Sequence, residues 1–177
     1  MKNLDKHLYQ VLLDITKGQD ERWLYSSILF KDKKMIATDG RCLFVTPKEY
    51  PSEMEGKIIN PRNLSFEDYR SFPDYTKVIP NKEICKNIEG MLLPELSLMN
   101  SKNQPDIQKL FINDNYKFSG IEPLNENWLA CISLKYLHNL RTFIKKGIGF
   151  NVWIGTKDKP VLFEFFGSQY ILMQVKV

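Results

Sequence analysis

A tight turn between two extended segments decides how the first third of this chain folds, in the stretch Ile36-Ala37-Thr38-Asp39-Gly40-Arg41-Cys42-Leu43. Asp39-Gly40 is a strong hairpin signal, because both residue types tolerate the left-handed backbone that a two-residue turn needs. Working outward, apolar runs predict four strands, at residues 23–30, 35–38, 42–46 and 57–60. Ahead of them we predict a helix at residues 4–17, because five apolar side chains fall in one arc of a helical wheel: Leu4, Leu8, Val11, Leu12 and Ile15.

The last third of the chain repeats this pattern of one helix with several strands. Ser133 is a suitable N-cap for a helix at residues 134–146. The strands of this part are predicted at residues 128–132, 150–154, 161–166 and 170–177. The two parts match in pattern rather than in residue identity, which indicates an internal duplication.

Prolines interrupt the stretch between these two parts. It contains a predicted helical turn at residues 84–89 and a predicted small hairpin formed by residues 109–113 and 116–119. We therefore expect an α+β fold in one domain, residues 1–177. Its repeat halves would be about 1–63 and 127–177, with an insertion or linker at about 64–126.

Composition excludes several classes of protein. The chain has 177 residues, 43% of them hydrophobic, which excludes a disordered chain and a small disulfide scaffold. Its 25 Lys and Arg against 21 Asp and Glu give a mild net charge of +4, so a charge with a function must be concentrated on one face. No signal peptide or membrane-spanning stretch is present, and we expect a soluble cytoplasmic protein without a membrane partner.

No metal site, cofactor site or catalytic motif is predicted. Cys42, Cys85 and Cys131 are widely spaced and the two histidines lie far apart, so a zinc site is not expected. Nucleophile-elbow, metalloprotease, P-loop and dinucleotide-binding motifs are all missing from the sequence. These observations favour a protein that is not an enzyme.

The predicted helix at residues 134–146 concentrates positive charge on one face and contains no acidic residue. The cationic face holds Lys135, His138, Arg141, Lys145 and Lys146, and the opposite face is apolar. Two interpretations remain open. The face is either an ordinary solvated surface, whose last lysines suit the helix dipole, or a surface that contacts phosphates without reading sequence.

Three segments resemble the bacterial sliding clamp, the beta subunit of DNA polymerase III. Residues 36–43 look like the family's A-T-D-G-H-R-L turn, and residues 72–80, F-P-D-Y-T-K-V-I-P, look like its F-P-D-Y-x-x-V-[IL]-P segment. The last seven residues, I-L-M-Q-V-K-V, are similar to the clamp's V-V-M-P-M-R-L. The three occur in the family's order, and the resemblance covers roughly two thirds of the chain.

The resemblance implies a clamp-like domain, a duplicated unit of one helix with antiparallel strands. In that family the helices face duplex DNA through basic side chains, which would give the cationic face its role. The three motifs also line an apolar pocket for short peptides of polymerases and other replication proteins. Carried over, the pocket residues are Thr38, Gly40, Arg41, Leu43, Pro80, Ile171, Met173 and Val175. An equally open interpretation is that Leu43, Ile171 and Val175 pack in the core.

This chain also departs from the family's pattern. Arg41 and Cys42 stand where the family has His and Arg, and Gln174 stands where it has Pro. These differences bear on peptide specificity more than on fold. The family chain carries three such domains and two chains close its ring, so a shorter chain could encircle DNA only as a homo-oligomer of several copies.

Three functions follow as hypotheses. The leading one is a non-catalytic, DNA-associated processivity or scaffold protein that binds duplex DNA non-specifically and peptides of replication proteins. The alternative is a clamp-mimicking protein that binds such peptides without encircling DNA. The third is an unrelated enzyme in which the Asp39-Gly40 hairpin resembles the clamp by chance.

Overall fold

The computed structural model describes residues 2–17, 27–61, 65–68, 72–93, 109–113, 118–119, 128–156 and 158–174. The chain divides into two compact units. Unit 1 comprises residues 1–77 and 166–170, and unit 2 comprises residues 78–165 and 171–177. The predicted arrangement of one domain with two repeat halves stays a prediction.

The helices are α1 (Lys2–Thr16), α2 (Leu134–Leu137) and α3 (Arg141–Lys145). The strands of the first part are β1 (Ile28–Lys31), β2 (Lys34–Thr38), β3 (Cys42–Pro47), β4 (Lys57–Asn60), β5 (Ser65–Asp68) and β6 (Lys86–Leu92). Those of the second part are β7 (Lys109–Asn113), β8 (Phe118–Ser119), β9 (Trp128–Ser133), β10 (Gly149–Ile154), β11 (Val161–Phe165) and β12 (Ser168–Leu172).

Unit 1 is an antiparallel sheet with α1 against it. Its strands follow the order β5-β4-β1-β2-β3, and the first residues of β12 lie beside β3. α1 contacts β2 and β3 through its predicted apolar arc, and Leu12 is completely buried. On the other side of β3, a buried hydrogen bond joins the hydroxyls of Thr46 and Ser168 at 2.9 Å. The helix predicted at residues 4–17 is confirmed by α1, and the hairpin predicted around Asp39-Gly40 is confirmed by the antiparallel pairing of β2 with β3.

Unit 2 contains two antiparallel sheets and the helical segment. One sheet has the order β11-β10-β6, and the other has the order β8-β7-β9. Its core contains a cluster of aromatic rings in tilted and edge-on contact: the ring centroid of Phe165 lies 4.8 Å from that of Phe143 and 5.0 Å from that of Phe150. The hairpin predicted at residues 109–119 is confirmed where it is described, since β7 and β8 pair antiparallel.

Three predictions about individual elements need correction. The helical turn predicted at residues 84–89 is wrong, because this stretch enters β6, which pairs with β10. The predicted helix at residues 134–146 is divided by a short 3-10 turn at His138–Leu140. The last strand ends at Leu172 rather than at residue 177, and residues 175–177 lie outside the described part. The stretch expected as an insertion or linker, about residues 64–126, contains β5 of the unit 1 sheet and β6, β7 and β8 of unit 2, and its role as an insertion or linker stays a prediction.

The three cysteines differ in their access to solvent. Cys42 and Cys131 are buried, whereas Cys85, just ahead of β6, is half-buried. No disulfide joins them, and all three lie in the described part of the chain. Burial raises the pKa of the Cys42 thiol well above its ordinary value, and the carboxylate of Asp39 adds to this effect. A thiol held protonated in this way is unreactive.

Candidate nucleic-acid interface and peptide-binding residues

The helical segment of unit 2 runs from α2 through the 3-10 turn to the end of α3. Ser133 occupies the predicted N-cap position, but its side chain makes no capping hydrogen bond. The other end is closed by Gly147, whose φ of 64° suits the left-handed residue that terminates a helix. The N–H of Ile148 donates to the carbonyl of Phe143 at 3.1 Å, and the N–H of Gly147 donates to that of Ile144 at 3.0 Å. This pair of bonds is a Schellman motif, which fixes where the segment stops.

The side chains of this segment divide by polarity as the spacing predicts. Its six large apolar residues are all buried: Leu134, Tyr136, Leu137, Leu140, Phe143 and Ile144. Four of the five predicted cationic residues are exposed, Lys135, His138, Lys145 and Lys146, and Arg141 is half-buried. The structure therefore places all five cationic residues on one short segment, with its apolar side turned into the core of unit 2.

The charged side chains on this face are all basic. No Asp or Glu occurs between residues 134 and 146. Within the described part of the chain, neither Lys135 nor Lys145 pairs with a carboxylate. The ammonium of Lys135 lies 5.6 Å from the ring centroid of Tyr136, and Nη1 of Arg141 donates to the carbonyl of His138 at 3.1 Å. These contacts orient the side chains of Lys135 and Arg141.

The outer surface of α1 differs, because it carries both acidic and basic residues and two ion pairs. The ammonium of Lys17 lies 2.7 Å from the carboxylate of Asp14, which also accepts a hydrogen bond from Gln10 at 2.9 Å. Near the other end of α1, Asp5 pairs with Lys48 at 2.9 Å. Asp5 and Asp14 of α1 and the adjoining Lys17 are therefore in ion pairs, whereas in the described part of the chain Lys135 and Lys145 pair with no carboxylate.

The predicted pocket residues of unit 1 lie in the hairpin between β2 and β3. The buried hydroxyl of Thr38 donates to the carbonyl of Cys42 at 2.7 Å and accepts from the N–H of Gly40 at 3.0 Å. Gly40 has a φ of 84°, in the left-handed region that glycine adopts without strain because it has no side chain. The carboxylate of Asp39 accepts from the N–H groups of Arg41 and Cys42, both at 2.9 Å. Leu43 is buried and Arg41 is exposed, so Thr38 and Gly40 build the turn that presents the Arg41 side chain to solvent.

The predicted pocket residues of unit 2 lie ahead of β6 and at the end of β12. Pro80 is half-buried beside a 3-10 turn, and Ile171 is buried in β12. Met173 follows β12 and is 42% exposed, which is unusual for a large apolar side chain. Val175 lies outside the described residues. The assembly of one pocket from these residues and those of unit 1 stays a prediction.

Sequence reasoning overlooked the structural role of Gln174. Its side chain makes three hydrogen bonds, to residues that lie 15 to 43 positions away in the chain. The only indication in the sequence was that Gln174 stands at a position where the resembled family has proline.

The described residues contain no group of three or more His, Cys, Asp or Glu side chains that could hold a metal ion. In the same residues, no helix has the length and apolar character needed to cross a membrane.

Solved structures of bacterial clamps match this chain over nearly its whole length. The DNA polymerase III beta chain of Streptococcus pneumoniae aligns with 99% of it at 10% identity and a TM-score of 0.64. The sliding clamp of Bacillus subtilis aligns with 99% at 13% identity and a TM-score of 0.61. The Helicobacter pylori beta clamp, bound to a DNA ligase peptide, aligns with 98% at 14% identity and a TM-score of 0.62.

The chain has the fold of a sliding clamp. The resemblance noted in three sequence segments is thereby confirmed at the level of structure. No protein-family model matches the chain, and no curated protein matches it significantly. The chain spans 64% of the length of the Streptococcus clamp and 63% of the other two. It shares the clamp fold over this span and divides into two compact units.

Proposed function

We propose that this chain is a non-catalytic, DNA-associated scaffold or processivity protein of the sliding-clamp type. The observation that carries the proposal is the cationic face of the helical segment, Lys135, His138, Arg141, Lys145 and Lys146, in a chain with the clamp fold. The face is exposed, contains no acid, and has its apolar side buried in the core of unit 2.

Such a face suits contact with the phosphates of duplex DNA. Lysine and arginine at phosphates supply affinity that depends little on sequence, because every nucleotide carries the same charge. Binding of this kind lets a protein move along DNA, which a processivity role requires. Three phosphate contacts would make the affinity fall roughly fortyfold between about 50 and 200 mM salt.

Peptide binding is the second part of the proposal. The matched Helicobacter pylori clamp is bound to a DNA ligase peptide. In this chain, exposed Met173 offers a flexible, polarizable apolar side chain, which suits several related peptides. The proposed pocket residues are Thr38, Gly40, Arg41, Leu43, Pro80, Ile171, Met173 and Val175.

The DNA part is tested by reversing charge on the helical segment. We expect the triple variant Lys135→Glu, Arg141→Glu, Lys145→Glu to lose nearly all duplex DNA association in a fluorescence anisotropy titration at low salt. All three side chains extend from the surface of the segment, so circular dichroism should show an unchanged fold.

The matched control reverses three exposed lysines elsewhere, Lys33→Glu, Lys34→Glu and Lys159→Glu. Both triple variants lower the net charge equally, so a difference between them reports position rather than total charge. The control should keep DNA association within a factor of about three. Equal DNA association by both triple variants would reject the helical segment as the DNA-facing surface.

A second candidate function is a clamp-mimicking protein that binds the same peptides without encircling DNA. It is favoured by the mild net charge of +4. A chain that binds peptides but shows no salt-dependent DNA association would match this alternative.

A further inference from the structure

The side-chain amide of Gln174 makes three hydrogen bonds to the backbone of unit 2. Its Nε2 donates to the carbonyls of Thr156 at 2.9 Å and Lys159 at 2.8 Å. Its Oε1 accepts from the N–H of Cys131 at 3.3 Å. Only one orientation of the amide fits, because two carbonyls need the NH₂ group and one N–H needs the oxygen.

These partners belong to two separate elements. Thr156 and Lys159 flank the turn between β10 and β11, and this turn is itself closed by a bond of 3.0 Å from the N–H of Lys159 to the carbonyl of Thr156. Cys131 is completely buried and lies on β9, an outer strand of the described three-stranded sheet. Amides on the outer side of such a strand need an acceptor from elsewhere, and Gln174 supplies one.

The position of Met173 follows from this arrangement. β12 ends at Leu172, so Met173 lies beyond the strand and no longer has the strand's ladder to hold it. Gln174 comes directly after Met173 and fixes the backbone again on that side. Met173 is thus held between two anchored residues while its side chain stays 42% exposed. An apolar side chain held ready in this way binds a partner without first paying for its own ordering.

We propose that Gln174 is a positioning residue for peptide binding. It holds Met173 in the orientation that receives an apolar side chain of the peptide, without contacting the peptide itself. The inference rests on the proposed function, in which Met173 contributes to the peptide pocket. It also assigns a purpose to the departure from the family's proline, because glutamine restrains the backbone through hydrogen bonds where proline restrains it through its ring.

The test compares isosteric variants of Gln174. Gln174→Glu keeps the size of the side chain but turns a carboxylate oxygen toward two carbonyls, so the anchor should be lost. Gln174→Leu removes the polar atoms at similar volume. Gln169→Glu, on β12, is the matched control for an added negative charge. Met173→Asp reports whether this segment binds the peptide at all.

The probes are two fluorescein-labelled peptides, the clamp-binding segments of a bacterial DNA ligase and of a replicative polymerase. We expect wild type and Gln169→Glu to bind equally, Met173→Asp to lose binding, and both Gln174 variants to bind about tenfold more weakly. The loss should fall on the association rate, because fewer molecules hold Met173 ready before the peptide arrives. A merely structural role would instead lower the thermal unfolding midpoint with no selective change in association rate.

Two outcomes overturn the inference, and they differ from each other. If wild type binds peptide and both Gln174 variants bind equally well, Gln174 has no positioning role and the proposed peptide binding stands. If wild type binds neither peptide, the peptide part of the proposed function fails and the inference fails with it.

Discussion

Tyr50 connects three parts of unit 1 through its ring and its hydroxyl. The ring packs edge-on against Phe30 with 5.2 Å between centroids. The hydroxyl accepts from the N–H of Lys33 at 3.0 Å and donates to the carboxylate of Glu55 at 2.7 Å. Asp32 and Lys33 form the turn between β1 and β2 with φ values of 52° and 55°, which non-glycine residues adopt only at a cost. Tyr50 and Glu55 support this turn by accepting its N–H groups.

This network predicts a specific loss of stability at alkaline pH. Desolvation and the Glu55 carboxylate raise the pKa of Tyr50 from 10.0 to about 12. A group whose pKa is raised by folding stabilises the protein fully below its unfolded pKa, and that stabilisation is lost as pH rises through the folded value. The free energy of unfolding should therefore fall between about pH 10 and pH 12, and Tyr50→Phe should reduce this fall.

Urea unfolding at several pH values across this range measures the effect. Tyr9→Phe is the control, since Tyr9 is an exposed tyrosine on α1, and it should follow wild type. Parallel curves for wild type and Tyr50→Phe would show that Tyr50 ionises as freely in the folded chain as in the unfolded one.

The helical segment of unit 2 is held by its buried side. Phe143 is 1% exposed, and its ring lies 4.8 Å from that of Phe165, which in turn lies 5.0 Å from Phe150. The segment consists of two short helices and a 3-10 turn, too little to be stable without packing. Its cationic face therefore keeps its shape only as long as the aromatic core beneath it is filled.

We predict that Phe143→Ala lowers the free energy of unfolding by about 3–5 kcal/mol, because it removes a buried ring and leaves a cavity. Lys145→Ala, on the exposed side of the same segment, should change it by less than about 0.5 kcal/mol. Denaturant titrations of both variants check this difference. A small effect of Phe143→Ala would mean that neighbouring side chains refill the space.

Among helices and strands, the sequence predicts those whose apolar spacing is set by residues close together in the chain. The amphipathic segment at residues 134–146 was recognisable because the apolar spacing acts within a few turns. The helical turn at residues 84–89 was wrongly predicted, because Ile84 and Ile88 are four positions apart, as two residues on one helix face would be. In the structure Ile84 is 76% exposed, whereas Ile88 is buried opposite Val152 in the ladder with β10. Pairing between residues more than sixty positions apart overrides the local pattern, and a single sequence does not display it.

The residues of the candidate site likewise divide into those that a local sequence pattern predicts and those that only the fold brings together. The cationic residues followed from helical spacing, and the hairpin at Asp39-Gly40 followed from turn chemistry. The hydrogen bonds of Gln174 could not be predicted, since Cys131, Thr156 and Lys159 approach it only through the fold. Gly149 is a further example. A side chain there would come within 3.1 Å of the carbonyl oxygen of Gly90, a contact that exists only once β6 has paired with β10.

At the scale of the whole chain, the proposed processivity role raises the question of assembly. The chain spans 64% of the Streptococcus clamp chain. If this chain of 20.8 kDa encircles DNA by itself, we expect several copies to assemble. Oligomers built from one repeated contact close into rings when the rotation between copies permits.

We predict that size-exclusion chromatography with light scattering gives a protein molar mass of two or more times 20.8 kDa, either for the chain alone or, after the mass of the duplex is subtracted, with DNA present. The mass should be independent of protein concentration over a tenfold range once the ring is closed. A monomer at high concentration, with and without DNA, would reject encirclement and leave the peptide-binding alternative.

Because only one of the three cysteines is partly accessible to solvent, the chain can be labelled selectively at Cys85. A maleimide fluorophore should attach at half-buried Cys85, whereas Cys42 and Cys131 are sealed in the core. Because desolvation raises the pKa of Cys85, the reaction is slower than at a fully solvated thiol and benefits from mildly alkaline buffer. A dye at this place, a few residues beyond Pro80, puts an optical reporter next to one of the proposed peptide contacts while every residue of the native sequence is kept.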